Sequence, residues 1–131
     1  MKLDYDCVRD ILISLESLLQ FGKRFEAPSI SLKQLSSYNQ MQCYSEQNIV
    51  YCTQKLTEAG LIKVRILEAN NLIYDISYNS ITFSGHQYLD SIRSNAVWEK
   101  TKSSFLEKGI SLTFDLIIKA APKIALAMLN L

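Results

Sequence analysis

The chain has 131 residues, a length that predicts one domain with a single hydrophobic core, foldable without disulfides or a structural metal. Hydrophobic residues at 48%, charged residues at 21%, four Gly and two Pro exclude a low-complexity or disordered chain. Fourteen Lys plus Arg against thirteen Asp plus Glu leave a formal charge of +1, so no global basic field announces a nucleic-acid binder and function must lie in local features.

Val8, Ile11, Leu12, Leu15, Leu18 and Leu19 recur at helical spacing, with Arg9, Glu16 and Gln20 opposite, which predicts an amphipathic helix from Asp4 to Gln20 ended at Phe21-Gly22. After Pro28, Ser29-Ile30 reads as a short strand. Ser31 stands before Leu32 and Leu35 as an N-cap, predicting a second helix to about Tyr38, and the polar run from Asn39 to Tyr44 reads as a loop. Ser45 followed by Glu46 signals a third helix, with Ile49, Cys52, Leu56 and Ala59 as its buried stripe and Gly60 as its stop. The period then changes from 3.6 to 2: Ile62, Val64 and Ile66 alternate with Lys63 and Arg65, and Asn70-Asn71 turns the chain into a second run, Ile73 to Ile81.

Thr82 or Ser84 is expected to cap one long fourth helix through Tyr88, Leu89, Ile92, Ala96, Trp98 and Phe105, stopped by Gly109. Trp98 and Phe105 fall on one face of it, which suits packing. From Ile110 to Leu131, fifteen of 22 residues are apolar and Ser111, Asp115, Lys119 and Lys123 confine polarity to one stripe, while Pro122 predicts a kink. The order helix, strand, helix, helix, hairpin, helix predicts a mainly α protein with a small β-hairpin: a winged helix-turn-helix domain over residues 1–109 with an apolar C-terminal helical extension over residues 110–131.

Three cysteines, Cys7, Cys43 and Cys52, lie apart with no C-x-x-C pair, so neither a disulfide framework nor a zinc site is expected, and all three read as buried small hydrophobes. No cofactor is expected. Acids at Asp4 and Asp6 stand where a secretory signal needs cations, which places the chain in the cytoplasm. His86 is the one histidine; Asp90 lies one helical turn onward as a conceivable orienting partner, but no phosphate loop, serine elbow or metal-spaced carboxylates accompany it. The expected role of His86 is therefore helix capping or contact with the wing, Asp90 and Arg93 make an ordinary surface pair, and no catalytic residue is assigned.

Two stretches carry more than pattern: Tyr44-Ser45-Glu46-Gln47-Asn48-Ile49-Val50-Tyr51-Cys52 running into Leu56-Thr57-Glu58-Ala59-Gly60-Leu61-Ile62, and Ile81-Thr82-Phe83-Ser84-Gly85-His86-Gln87-Tyr88-Leu89-Asp90-Ser91-Ile92-Arg93 followed by Val97-Trp98-Glu99-Lys100-Thr101-Lys102. Together with the Asp4-Tyr5-Asp6 lead, the chain resembles a family of small bacterial and prophage proteins classed as a domain of unknown function, with a winged-helix-like core. The resemblance implies the fold and a phage or mobile-element setting, and no activity. It also implies a histidine after Tyr51, where this chain has Cys52.

The side of the third helix expected to face a major groove carries Gln47, Asn48, Tyr51, Gln54 and Lys55, with Lys63 and Arg65 on the wing and Lys33 on the second helix as phosphate contacts. These residues make double-stranded DNA the expected partner of a phage-related regulator. The alternative is a protein-binding adaptor on the same scaffold, which the acids Glu46 and Glu58 on the third helix favour. The apolar C-terminal helix is expected to hold a homodimer through Ile117, Ile124, Met128 and Leu131, with docking back over its own domain as the alternative, and its three charges argue against a membrane span.

Overall fold

The computed structural model describes residues 1–130, so the oligomerisation role expected of Leu131 lies outside the described residues. Among the described residues, six α-helices and one three-stranded antiparallel sheet make a mainly helical protein whose backbone divides into two compact units, Met1–His86 and a second from Gln87 onward.

In the first unit, Asp4 accepts a hydrogen bond from the Cys7 amide and so starts α1 (Tyr5–Leu18). The 3.6 period places Cys7, Val8, Ile11, Leu12 and Leu15 on one buried face. A two-residue strand β1 (Ile30–Ser31) leads into α2 (Leu32–Ser36), where Ser31 and Gln34 form a reciprocal capping box. The stretch expected to be a polar loop instead contains a 3₁₀ turn, Asn39–Met41, because Met41 is fully buried and pulls its turn into the core. The helix α3 (Glu46–Glu58) begins at Ser45, whose hydroxyl accepts from the Asn48 amide, and ends as expected near Gly60, which has φ +75. Its buried face is Ile49, Cys52, Thr53 and Leu56. Thr53 rather than Ala59 belongs to it, since Ala59 is the exposed C-cap while the Thr53 hydroxyl is satisfied by the Tyr78 phenol at 2.7 Å.

Strands β2 (Ile62–Ala69) and β3 (Leu72–Ile81) form the expected hairpin, and both Asn70 and Asn71 have positive φ, the geometry of a two-residue turn. Because β1 pairs with β3 through Ile30↔Tyr78, the sheet order is β1-β3-β2, which buries Ile30, Ile62, Ile76 and Tyr78 in the core beside α1 and α3.

The expected long fourth helix is two helices, α4 (Phe83–Ile92) and α5 (Asn95–Glu107). Ser94 breaks it: its side chain accepts from the Val97 amide and starts a new helix, a signal overridden in the sequence by the continuous apolar period. Of the two candidate caps for α4, Thr82 is the one that acts, its hydroxyl accepting from the Gly85 amide and donating to the Gly60 carbonyl. The second unit's core holds Trp98, Thr101 and Phe105 of α5 and Ile117 and Ala121 of α6 (Phe114–Met128), with the Tyr88 and Phe114 rings meeting edge to face at 5.1 Å. Ala96, expected in the apolar stripe, is exposed. Pro122 does not end α6, which continues through it to Met128.

Candidate functional site

The residues expected to read DNA are placed in three different ways. Asn48 donates from its side-chain amide to Asp4 at 3.0 Å, and the Tyr51 phenol donates to the Met1 carbonyl at 3.2 Å. The N-terminal segment thus lies on the face of α3 that the sequence offered to a groove. Lys55 sits 2.8 Å from Glu58, whose hydrogen bond holds the ammonium above its usual range, and its Nζ also lies 5.3 Å from the Tyr51 ring centroid. Asn48, Tyr51 and Lys55 therefore have internal partners, a correction to their expected availability. Gln47 is exposed and Gln54 half-buried on the same helix.

Lys63 and Arg65 are exposed and share one side of β2, as the period of two requires. Lys33 is exposed on α2. The first turn of α2, whose free amides attract anions, already receives Asp75: its carboxylate accepts from the Leu32 amide at 3.3 Å. A phosphate there would meet a carboxylate. Beyond the core, the tip of the hairpin, past the register shift between Leu67 and Glu68, carries Tyr74 and Leu72 into solvent, at 67% and 70% exposure.

The cysteines also depart from expectation. Cys43 is exposed, whereas Cys7 and Cys52 are buried and meet across α1 and α3. The hydrogen bond between their sulfurs, with burial adding to it, pushes the Cys7 thiol up, and the same bond draws Cys52 down against the opposing effect of its burial. Cys52 additionally contacts the Asp4 carbonyl at 3.7 Å and Asn48 Oδ1 at 3.5 Å. A cysteine at position 52 is thus part of the junction between α1 and α3. Among the described residues no group of three or more His, Cys, Asp or Glu side chains is arranged to hold a metal.

His86 does not cap α4: its ring is exposed and makes no hydrogen bond among the described residues, and Thr82 does the capping. Asp90 is paired with Arg93 at 2.7 Å. The neighbouring Gly85 explains why that stretch stands out in the sequence. A Cβ at Gly85 would lie 2.0 Å from the Leu61 carbonyl oxygen, which also accepts from the Thr82 amide, so the start of α4 is pressed against the end of α3's connection to β2.

In the second unit, Ile117 is fully buried and thus unavailable to a second chain, against its expected role in a dimer; Ile124 is half-buried and Met128 exposed. α5 and α6 leave a groove of about 380 Å³ between them, with an apolar floor that includes Phe105 and Ile124 and with Lys108, Lys119 and Lys123 at its rim. Sequence reasoning assigned Lys119 and Lys123 to a solvated stripe. Their spacing of four was the available signal, but the floor beside them depends on α5.

These features define a mainly helical protein with a small antiparallel sheet, an internally bonded third helix and a lysine-rimmed groove in its second unit. The family model described as "Hypothetical protein (DUF2513)" matches residues 2–111, and the chain belongs to that family. A protein of Haemophilus influenzae described as "Uncharacterized protein" is 30% identical over 129 residues, spanning 98% of this chain and 99% of that protein. No solved structure matches. None of the described helices is long and apolar enough to cross a membrane.

Proposed function

We propose that the protein is an adaptor that binds another protein, built on a winged-helix unit whose third helix is structural and not a groove reader. The observation that carries this reading is the bonding of Asn48 and Tyr51 to Asp4 and Met1. A bidentate base contact is worth about 1–3 kcal/mol. Breaking the Asn48 bond to a carboxylate costs about 1.5–3 kcal/mol, so reading a base with this side chain returns little net affinity.

The winged-helix part rests on the element order α1-β1-α2-α3-β2-β3 and the sheet order β1-β3-β2, with β2 and β3 as the wing. Charge supports the adaptor as well. Residues 1–86 carry eight Lys and Arg against nine Asp and Glu, the wrong sign for a unit whose affinity would come from phosphate neutralisation. The wing ends in Leu72 and Tyr74, side chains suited to an apolar protein surface.

A second reading, a regulator that binds double-stranded DNA, is favoured by one observation: Lys63 and Arg65 stand exposed on one side of the wing. With Lys33 they supply three phosphate contacts, against the roughly six to ten of a strong binder.

Two measurements separate the readings. The adaptor reading expects duplex fragments to bind no tighter than the non-specific range of about 10⁻⁴–10⁻⁶ M. It also expects a photoreactive group replacing Tyr74 to cross-link to a protein in cells, with the cross-link lost on Leu72→Ser. Tighter duplex binding that weakens with salt and disappears in Lys63→Ala/Arg65→Ala overturns the adaptor and supports the regulator.

A further inference from the structure

The groove of the second unit has a chemical signature of its own. Leu116, Ala120 and Ile124 follow one another at intervals of four and form one stripe of α6, which faces Phe105 of α5 across the groove. Ala120 sits at the centre of that stripe, so its short side chain leaves room for a larger one from outside. Leu116 remains 41% exposed, so the floor is not covered within the unit. Lys119 and Lys123 run beside the stripe four residues apart, about 6 Å along the axis, and Lys108 stands at the C-cap of α5. None of the three ammonium groups has a carboxylate partner among the described residues.

We propose that this groove docks an amphipathic α-helix of a partner protein, whose apolar side chains enter over Ala120 and whose Asp or Glu residues, spaced one turn apart, face Lys119 and Lys123. The proposal rests on the adaptor reading and gives its partner a chemistry. A helix in a groove supplies anchors at intervals of three and four, the spacing that the α6 stripe presents. Charge decides among occupants. A second copy of this groove would set three lysines against three, and the only acid on α6 is Asp115. A single long-chain carboxylate would answer one cation at one end, whereas Lys119 and Lys123 are arrayed along the groove. A partner helix with acids along its flank answers both.

The test is a display library of helical peptides about as long as α6, selected on the full chain. The expected result is a consensus of apolar residues at helical spacing flanked by Asp or Glu. Binding should fall by roughly tenfold or more in Lys119→Glu/Lys123→Glu and return when the peptide's acids are changed to Lys. Both lysines are exposed, so the variant leaves the core intact. Selected peptides without an acidic excess, or bound equally by the charge-reversed variant, overturn the proposal, as does a library that yields no peptide sensitive to these lysines. Displacement of the peptides by anionic phosphatidylglycerol vesicles but not by neutral ones assigns the groove to a lipid surface and also overturns it. Peptides insensitive to Lys119→Glu/Lys123→Glu but lost in Leu72→Ser/Tyr74→Ser would end the groove proposal and leave the adaptor reading standing. Duplex binding through Lys63 and Arg65 would end the adaptor reading by a separate readout.

Discussion

Cys7 and Cys52 are distant in the chain and touch in the fold, so their chemistry is set by burial that no local pattern announces. Both are fully buried while Cys43 is exposed. Treatment of the native protein with a thiol reagent is expected to modify Cys43 quickly and the other two only in denaturant; mass spectrometry of the labelled peptides checks the order. Ser14 offers a cleaner energetic test. Its hydroxyl is buried in α1 without a hydrogen-bond partner among the described residues, and alanine is the better helix former. Ser14→Ala should therefore stabilise the protein by about 1 kcal/mol in urea unfolding.

Tyr78 carries a pH dependence. Burial raises its phenol above the ordinary value of 10.0, with the Thr53 hydroxyl opposing in part. The folded state therefore holds this proton more tightly than the unfolded state. Its contribution is complete below pH 10 and declines as pH rises above that value, because the unfolded chain ionises first, by at most about 1.4 kcal/mol per pH unit. Urea midpoints at pH 8 and pH 11 should show the decline, and Tyr78→Phe should flatten part of it.

At the scale of elements, the starts of helices were legible because each depends on a hydroxyl or carboxylate within three residues of the amide it accepts from: Asp4, Ser31, Ser45 and Thr82 all act as such partners. The turn at Asn70-Asn71 and the stop at Gly60 were equally local, since each needs a positive φ that Asn and Gly adopt at low cost. The break between α4 and α5 was missed although Ser94 carried the same signal, because the apolar period runs through it. Ser94→Ala should cost about 1 kcal/mol, seen as a fall of roughly 4 °C in Tm. The hidden 3₁₀ turn at Asn39–Met41 had no such cue; one apolar residue in a polar run does not reveal that it reaches the core.

For the whole molecule, charge is divided unevenly. Residues 1–86 have an excess of one acid, and residues 87–131 have six Lys and Arg against four Asp and Glu. The exposed apolar positions of α6, including Leu126 and Met128, lie in the more basic unit. Self-association through the groove face is therefore opposed by like charge at low ionic strength and released by screening. Sedimentation should find the protein monomeric in low salt, with any dimer growing as salt is raised; a dimer strongest at low salt would show that opposite charges hold it.

By itself the sequence determined the helical and alternating stretches, the caps, the hairpin turn and the buried face of α1, because periodicity and capping are properties of residues a few positions apart. The tertiary structure alone decided that Asp4 and Met1 occupy Asn48 and Tyr51, that Cys7 meets Cys52, that Gly85 presses on the Leu61 carbonyl, and that α5 completes a groove beside Lys119 and Lys123. Each of these is a meeting of residues from different elements. A side chain offered to solvent by its own helix becomes available or unavailable only when the chain has chosen which distant segment to lay against it.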